Sequence, residues 1–301
     1  MQQFAFEMRD ISIRYPHFAM ENISLSLPKG QVMGLVGVNG AGKSTTIRML
    51  MGLVKPDAGQ INVLGYQLPA QQVQAKYDIG FASDDMRLYK SQTLQWHMDF
   101  IRSVYPQFDQ AYAKELLKRF ELIGEQKIKG LSHGQRVKAC LLLVLARRPK
   151  LLVLDEPTTG LDPVARDEVI SELAEILRDD ERSVLFSSHN THDIEKLSDQ
   201  IAFLDRGKLL ALQDKETYLS SWSRFRCQLA ANASSGNTSA DAAMPVPGAV
   251  SIKRHGQLAE VITDQNSAGF AAQLALAGFQ VLEQHRMSLE EIFVANVKRS
   301  R

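Results

Sequence analysis

The stretch of this chain with the clearest chemistry is Gly37–Ser44, which reads Gly-Val-Asn-Gly-Ala-Gly-Lys-Ser. Glycines at this spacing before a Lys-Ser pair are typical of a loop that binds nucleotide phosphates, because consecutive backbone N–H groups can turn toward a polyphosphate. We expect Lys43 to reach the β- and γ-phosphates and the Ser44 hydroxyl to ligate Mg²⁺. The predicted nucleotide contacts of the loop are Gly37, Val38, Asn39, Gly40, Ala41, Gly42, Lys43, Ser44 and Thr45.

A second group of reactive side chains follows two apolar runs. Leu151–Leu154 predicts a strand buried on both faces of a parallel sheet, and it is followed by Asp155 and Glu156. Ligands bind at the carboxyl ends of strands in open α/β sheets, so Asp155 is expected to hold Mg²⁺ and Glu156 to orient or deprotonate water. His189 follows the predicted strand 183–188, where a histidine either is only a satisfied polar residue or, at the same sheet edge as Asp155 and Glu156, contacts a γ-phosphate or the attacking water. An acidic pair at a strand end can also be only solvated; the phosphate loop favours the functional interpretation.

Two weaker candidates lie elsewhere. Ser132 is a plausible N-cap of a helix over 134–146, and the free N–H groups beside it would form an anion site. Tyr15 precedes a proline in a predicted turn, where an aromatic ring either stacks on adenine or covers the edge of a sheet.

The elements that must position these residues follow from the hydrophobic pattern. Val32–Val36 predicts a buried strand before the loop, and residues 45–51 predict a helix after it. Residues 4–13 and 23–27 alternate apolar and polar side chains, which predicts half-buried antiparallel strands. Three helices are predicted within a helical subdomain at about 84–148, over 93–104, 110–122 and 134–146.

Strands and helices then alternate up to about residue 212, which favours a mostly parallel sheet. The predicted fold is α/β: a P-loop NTPase core, in which helices flank a mostly parallel sheet, with an antiparallel β subdomain and a helical subdomain. We expect the nucleotide-binding domain to span 1–217 and a small C-terminal α/β accessory domain to span 218–301. A segment at about 230–248, rich in Ala, Ser, Gly and Asn, is expected to be flexible.

Composition limits the class of protein. The 35 basic and 34 acidic residues nearly cancel, so bulk charge does not favour nucleic acid as a partner. Cys140 and Cys227 are too far apart for a metal-binding spacing and fit a reducing cytosol. We expect no signal peptide, and the chain has no run of 18 apolar residues, so a membrane link is expected only through a partner.

Taken in order, the motifs resemble those of the ATP-binding subunit of an ABC transporter, over residues 1 to about 215. Besides the phosphate loop, Leu131–Gln135 resembles the signature motif, 151–156 the Walker B strand, 159–162 the D-loop and His189 the switch histidine. Within this resemblance, Tyr15 corresponds to the aromatic residue that stacks on adenine.

The resemblance implies a head-to-tail dimer that closes on two molecules of ATP. Each nucleotide would lie between the phosphate loop of one chain and the signature residues of the other, which are Ser132, His133, Gly134 and Gln135. Lys43, Glu156 and His189 would be catalytic, Ser44 and Asp155 would bind Mg²⁺, and Asp162 would contact the partner's switch histidine. The implied partners are a second ATP-binding subunit, the same or a related chain, and a separately encoded permease. The implied location is the cytoplasmic side of the inner membrane.

The chain departs from the family pattern at two positions. His133 stands where the signature normally has glycine, and Asp84 stands where the Q-loop normally has glutamine. Asp84 could still face Mg²⁺, with a shorter reach. The segment from Asp85 to Trp96 is expected to form the wall of a cleft that receives a cytoplasmic helix of the permease.

The C-terminal segment Ser288–Phe293 is similar to the endings of bacterial exporter ATPases, which favours export over import. Two alternatives stay open at this point. One is a soluble ABC ATPase that does not transport, although such proteins usually have tandem cassettes or basic surfaces. The other is a regulatory subunit that binds ATP with little hydrolysis, which Asp84 and His133 suggest and Glu156 and His189 argue against.

Overall fold

The computed structural model describes residues 3–178, 182–229, 246–265 and 267–299. Its contacts divide the chain into two units, Met1–Leu212 and Gln213–Arg301. None of the helices in these described ranges is long and apolar enough to cross a membrane.

The first unit contains an antiparallel sheet of four strands, in which long alternating strands cover an apolar core. Its strands are β1 (Phe4–Tyr15), β2 (Phe18–Pro28), β4 (Ala58–Val63) and β5 (Tyr66–Leu68), in the order β2-β1-β4-β5. Phe6 pairs with Leu27 and Met8 with Leu25, and these side chains are buried. The predicted strands 4–13 and 23–27 are thus present but longer, because β1 and β2 continue to a tight turn at 16–17.

A six-stranded sheet forms the centre of the first unit. Its strands are β3 (Val32–Val36), β6 (Ile79–Ser83), β7 (Leu151–Asp155), β8 (Ser183–Ser188), β9 (Gln200–Asp205) and β10 (Lys208–Asp214), in the order β10-β9-β3-β8-β7-β6. The β3–β8, β3–β9, β6–β7 and β7–β8 pairs are parallel. Every residue of β3, β7 and β8 is buried, which is why their sequences show continuous rather than alternating apolar residues.

The helices of the first unit are α1 (Lys43–Leu50), α2 (Gln72–Tyr77), α3 (Leu94–Val104), α4 (Gln110–Arg119), α5 (His133–Leu145), α6 (Pro163–Arg178) and α7 (Thr191–Leu197). The three helices predicted between 84 and 148 are present as α3, α4 and α5. Thr93 and Asp109 cap α3 and α4, and Ser132 caps α5 as predicted. The short helix α2 was not predicted, since Ala75 is the one buried residue among its six.

One apolar cluster joins the two sheets and fixes the strand–loop–helix unit between β3 and α1. Met33 and Leu35 of β3, Ile47 and Leu50 of α1, and Phe6 of β1 all belong to this buried cluster. Because both flanks of the loop 37–42 are anchored in the core, the loop itself has a fixed position at the carboxyl end of β3.

In its described residues, the second unit forms a four-stranded antiparallel sheet with three helices. Its elements are α8 (Lys215–Ser221), β11 (Ser223–Leu229), β12 (Ala249–His255), β13 (Leu258–Thr263), α9 (Ser267–Leu276), β14 (Phe279–Arg286) and α10 (Leu289–Arg299), with strand order β12-β13-β11-β14. It has its own core, centred on Phe225, Phe270 and Phe279. The α/β pattern predicted after residue 218 is present, whereas residues 230–245 of the predicted flexible segment lie outside the described ranges.

Candidate active site

A cavity of about 630 Å³ lies at the edge of the central sheet where β3, β6, β7 and β8 all end. These strands are parallel, so the segments that follow them meet at one edge. The cavity is lined by His17, Phe18, residues 38–45, Asp84, Asp85, Glu156, Thr159 and His189. The structure therefore brings the predicted phosphate loop together with Asp84, Glu156 and His189.

The phosphate loop wraps around the Lys43 side chain. The residue Lys43 is 5% exposed, and its Nζ atom donates a hydrogen bond to the Gly37 carbonyl at 2.7 Å. Gly37 lets the start of the loop pack against the end of β9, since a Cβ there would lie 2.6 Å from the Leu204 carbonyl oxygen. Gly42, with φ +113°, turns the chain into α1, and Ser44 and Thr45 begin that helix facing the cavity.

The Glu156 carboxylate is the centre of the polar contacts in the cavity. Its Oε1 lies 3.0 Å from Lys43 Nζ and its Oε2 lies 2.6 Å from His189 Nδ1. The hydroxyl of Thr159 also donates to Oε2, at 3.3 Å. Burial by itself would raise the pKa of the Glu156 carboxyl, but the hydrogen bonds and charges of Lys43 and His189 outweigh burial and lower the pKa. Glu156 is therefore ionised at neutral pH.

Ser187 holds the acidic pair at the end of β7. Its hydroxyl donates to Asp155 Oδ1 at 2.6 Å and accepts a hydrogen bond from the Glu156 backbone N–H at 2.9 Å. Asp155 is buried, and Glu156 has φ +51°, in the left-handed region that side chains other than glycine seldom adopt. Ser187 was not predicted as a site residue, because it is one of three serines in β8 and nothing distinguishes it until the pairing with β7 is known.

Asp84 lies in the same cavity, close to three other carboxylates. Burial is the main cause that raises its pKa, and the charge of Asp85 is the next; Asp155 and Glu156 contribute in the same direction. Its backbone N–H donates to the Asp155 carbonyl at 3.3 Å, which ties the end of β6 to the end of β7.

The aromatic residues at the β1–β2 turn are divided between the cavity and solvent. Phe18 and His17 line the cavity, and Phe18 Cζ lies 3.0 Å from the position that a Cβ on Gly42 would occupy. Tyr15 is 41% exposed and stacks on Phe18, with ring centroids 6.4 Å apart. The adenine-stacking role of Tyr15 stays a prediction, and Phe18 is a second aromatic residue that sequence reasoning missed.

The signature residues lie at the start of α5, and within the described residues the lining of the cavity does not include them. Ser132 and Gln135 form a capping box: Gln135 N–H donates to Ser132 Oγ at 3.2 Å and Ser132 N–H donates to Gln135 Oε1 at 2.9 Å. The Nε2 atom of His133 lies 3.1 Å from the Thr159 carbonyl oxygen.

The two departures from the family pattern meet in a smaller cavity of about 140 Å³. Asp84 and His133 both contribute to its lining, together with Met86, Arg136 and Cys140. Burial raises the pKa of the Cys140 thiol to about 11. Asp84 borders both cavities, so it lies between the carboxyl edge of the central sheet and helix α5.

Two carboxylates near the cavity fix the segments that connect the predicted catalytic residues Glu156 and His189. Asp162 Oδ1 accepts the backbone N–H groups of Val164 and Ala165, both at 3.0 Å, and so caps α6. Asp193, whose side chain is 2% exposed, binds Arg166 through two oxygens and accepts the Thr158 hydroxyl at 2.9 Å. Asp193 was not predicted, although it fixes α7, the helix that starts two residues after His189.

The parallel sheet, the strand–glycine loop–helix unit and the cavity at its carboxyl edge define the fold of a P-loop nucleoside triphosphatase. Residues 20–159 match the family described as ABC transporter. The ABC transporter ATP-binding protein YtrB of Bacillus subtilis is 33% identical over 204 residues, which cover 66% of this chain and 70% of YtrB. The chain belongs to the family of ABC transporter ATP-binding proteins, whose members hydrolyse ATP to power transport. The predicted fold class and the resemblance are confirmed.

A solved structure agrees with this assignment. The structure of the ATP-binding subunit of an ABC transporter superposes with a TM-score of 0.63 and 26% identity, covering 70% of this chain and 90% of the other. Relatives named for opposite directions of transport match at 32% identity. The Nod factor export ATP-binding protein I of Neorhizobium galegae matches over 64% of this chain and 56% of its own length. The probable sulfate/thiosulfate import ATP-binding protein CysA of Chlorella vulgaris matches over 68% and 89%. The family to which this chain belongs therefore includes ATP-binding proteins named for export and for import.

Proposed function

We propose that this ATPase subunit works in pairs, closing head to tail around two molecules of MgATP, and that the pair drives a separately encoded permease for export. The observation that carries the proposal is the division of the site. Lys43, Glu156 and His189 converge on the phosphate loop, whereas Ser132–Gln135 lie at the exposed start of α5. A second chain would supply the signature residues that complete the pocket.

The contacts of the cavity suit phosphoryl transfer, which requires positioning and charge stabilisation more than covalent chemistry. When ATP is bound, Lys43 would turn from Glu156 toward the β- and γ-phosphates. Glu156, ionised because its pKa is lowered, would accept a proton from the attacking water. His189, which is hydrogen-bonded to Glu156, would hold the γ-phosphate.

The oxygen donors at this edge fit Mg²⁺, which prefers hydroxyl and carboxylate oxygens and is usually held by one or two carboxylates plus phosphates. Ser44 lines the cavity, and Asp155 is fixed by Ser187 through one of its oxygens. Asp84 is the third candidate ligand. The ion, when bound, would neutralise charge on the phosphate oxygens.

The export direction rests on the sequence of the C-terminal segment and on the relative named for Nod factor export. Membrane vesicles that carry the chain and its permease test it. Inside-out vesicles supplied with MgATP should accumulate the cargo, and accumulation in right-side-out vesicles loaded with ATP would indicate import instead.

The dimer mechanism is tested with Glu156→Gln. The substitution keeps the shape of the side chain but removes the base, so turnover should fall by at least about 100-fold while ATP binding is kept. Gel filtration with MgATP should show a stable dimer for Glu156→Gln and a monomer without nucleotide. Glu115→Gln, an exposed position on α4, is the control and should behave as wild type.

Two results would contradict the proposal. A Glu156→Gln protein that binds MgATP but elutes only as a monomer would exclude the two-chain site. A wild-type chain that shows no turnover when reconstituted with its permease would favour the regulatory subunit that binds ATP with little hydrolysis.

A further inference from the structure

His133 joins the signature motif to the catalytic segment of its own chain. Its Nε2 lies 3.1 Å from the Thr159 carbonyl, and because that oxygen can only accept, the imidazole must donate from Nε2. Gly160 leaves room for this contact: it has φ +75°, and a Cβ at this position would lie 3.2 Å from His133 Nε2. The neighbouring Gly134 approaches Leu161 and Ala165, so the start of α5 packs directly on the D-loop segment.

Thr159 carries the connection onward to the base. Its hydroxyl donates to Glu156 Oε2 at 3.3 Å, while the same carboxylate contacts His189 and Lys43. One residue, Thr159, therefore contacts the signature through its backbone and Glu156 through its side chain. Glycine, the usual residue of the family at position 133, has no side chain that could form the first of these contacts.

We propose that His133 is a positioning residue that couples the two ATP sites of the assembly. The inference rests on the proposed two-chain site, in which Ser132–Gln135 serve the partner's nucleotide. When that nucleotide fixes the start of α5, the contact from His133 to Thr159 holds the Thr159 hydroxyl against Glu156 of the same chain. Each Glu156 is then aligned when the signature residues of the same chain contact the partner's nucleotide. Hydrolysis at the two sites is therefore coupled.

The chain offers a matched pair of substitutions at this position. The Nε2 atom of glutamine can occupy nearly the place of His133 Nε2, whereas the amide of asparagine reaches only as far as Nδ1. His133→Gln should keep the hydrogen bond and His133→Asn should lose it. His133 is exposed, so both proteins should fold, which thermal melting checks.

The deciding experiment uses mixed dimers of two differently tagged full-length chains, one of which carries Glu156→Gln so that a single active base remains. His133→Asn is placed either on the chain with the intact Glu156 or on the chain with Glu156→Gln. The first turnover of ATP is measured after rapid mixing. We expect a loss of about three- to tenfold, the range for one neutral hydrogen bond, when His133→Asn is on the chain with the intact Glu156. His133→Gln in the same place should restore at least half of the rate.

The outcomes separate this inference from the proposed function. In one outcome, mixed dimers form and the first turnover slows only when His133→Asn is on the chain with Glu156→Gln. In that case His133 acts on the partner's nucleotide, and the proposed coupling within one chain is wrong. If neither placement changes the rate, or if glutamine is as slow as asparagine, the hydrogen bond has no positioning role. If no dimer forms with MgATP, the two-chain site is wrong and the coupling is excluded with it.

A second measurement tests the path through Thr159. Thr159→Val removes the hydroxyl but leaves the backbone carbonyl, so it breaks the contact with Glu156 alone. If His133 acts on Glu156 only through Thr159, the double variant His133→Asn, Thr159→Val should slow the first turnover no more than the slower of the two single variants. Multiplied losses in the double variant would show independent roles and contradict the coupling.

Discussion

At the scale of single residues, the pKa values of two carboxyl groups in the same cavity are shifted in opposite directions. Burial and then the charge of Asp85 raise the pKa of Asp84. Burial acts on Glu156 in the same sense, but direct contacts with Lys43 and His189 reverse it and lower the pKa. The pKa values of these neighbouring carboxyls thus shift in opposite directions, which fits the proposed division between a base, Glu156, and an auxiliary metal ligand, Asp84.

Replacing Asp84 tests this environment through stability. Because the folded-state pKa of Asp84 is raised above the unfolded value, its ionised form costs stability above the folded pKa, and the cost is absent below the unfolded pKa. Asp84→Asn should therefore raise the melting temperature at pH 7 and change it little at pH 3. The rise should be at most about 1–2 °C, because much of the side chain is screened by solvent.

Thermal melting of both proteins across this pH range is the measurement, with Glu115→Gln on the exposed face of α4 as the control. A melting temperature lowered at pH 7 by Asp84→Asn would mean that the Asp84 carboxylate stabilises the fold, contrary to the raised pKa.

At the scale of elements, Gly40 and Gly42 of the phosphate loop differ in backbone conformation and in the space that a side chain would have. Gly42 has φ +113°, and a Cβ there would lie 3.0 Å from Phe18 Cζ and 3.2 Å from Met20 Sδ. Gly40 has φ +79°, nearer the left-handed region open to other residues, with nothing within 4 Å of its Cβ position. Gly42→Ala should therefore cost at least about 1 kcal/mol more in unfolding free energy than Gly40→Ala.

Urea unfolding of the two variants gives this difference. Binding of a fluorescent ATP analogue shows whether the loop survives, and Gly42→Ala should weaken it more than Gly40→Ala. Equal costs for the two variants would mean that the turn into α1 is not fixed by Gly42.

Helices α6 and α7 are joined by one buried and one exposed ion pair, which offers a second comparison. Asp193 is buried against Arg166, while Asp167 and Lys196 form a pair that remains largely exposed. Asp193→Asn leaves the Arg166 guanidinium without its carboxylate and should cost about 2–3 kcal/mol. Asp167→Asn should have little effect on stability, because exposed pairs contribute little.

The buried pair should also affect catalysis, since α7 follows His189 directly. We expect Asp193→Asn to lower the maximal ATPase rate severalfold with a smaller change in KM, and Asp167→Asn to leave both as in wild type. Chemical unfolding and steady-state kinetics of the two variants are the measurements. Equal behaviour of the two variants would show that Asp193 neither stabilises the helix pair nor positions His189.

Much of the fold and of the candidate active site could be predicted from local sequence. The buried strands β7 and β8, the phosphate loop and the N-cap Ser132 follow from patterns within a few residues of each other, and the structure has them where they were expected. What could not be predicted depends on contacts between distant segments. Phe18 rather than Tyr15 lines the cavity because it lies against Gly42 of the phosphate loop, and Ser187 acquires its role because β8 pairs with β7.

At the scale of the whole molecule, the chain combines a catalytic unit with a second unit that has its own sheet and core. The predicted boundary at 217/218 would cut helix α8, whereas the contacts divide the chain after Leu212. Asp214 caps α8, accepting the Thr217 backbone N–H at 2.8 Å. Within the second unit, the buried Tyr218 of α8 accepts a hydrogen bond from Asn296 of α10 at 2.6 Å.

Two fragments of the second unit distinguish these boundaries. Residues 213–301 keep the Asp214 cap and the first turn of α8, whereas residues 218–301 begin in the middle of that helix. Both should fold around Phe225, Phe270 and Phe279, but the shorter fragment should unfold at a urea concentration lower by about 0.5 M, because it loses a cap and the turn that supports Tyr218. Asp214→Ala in the longer fragment is the matched variant and should fall between the two. Coincident unfolding curves would place α8 outside the cooperative unit, and two fragments without a cooperative transition would show that the second unit depends on the catalytic unit to fold.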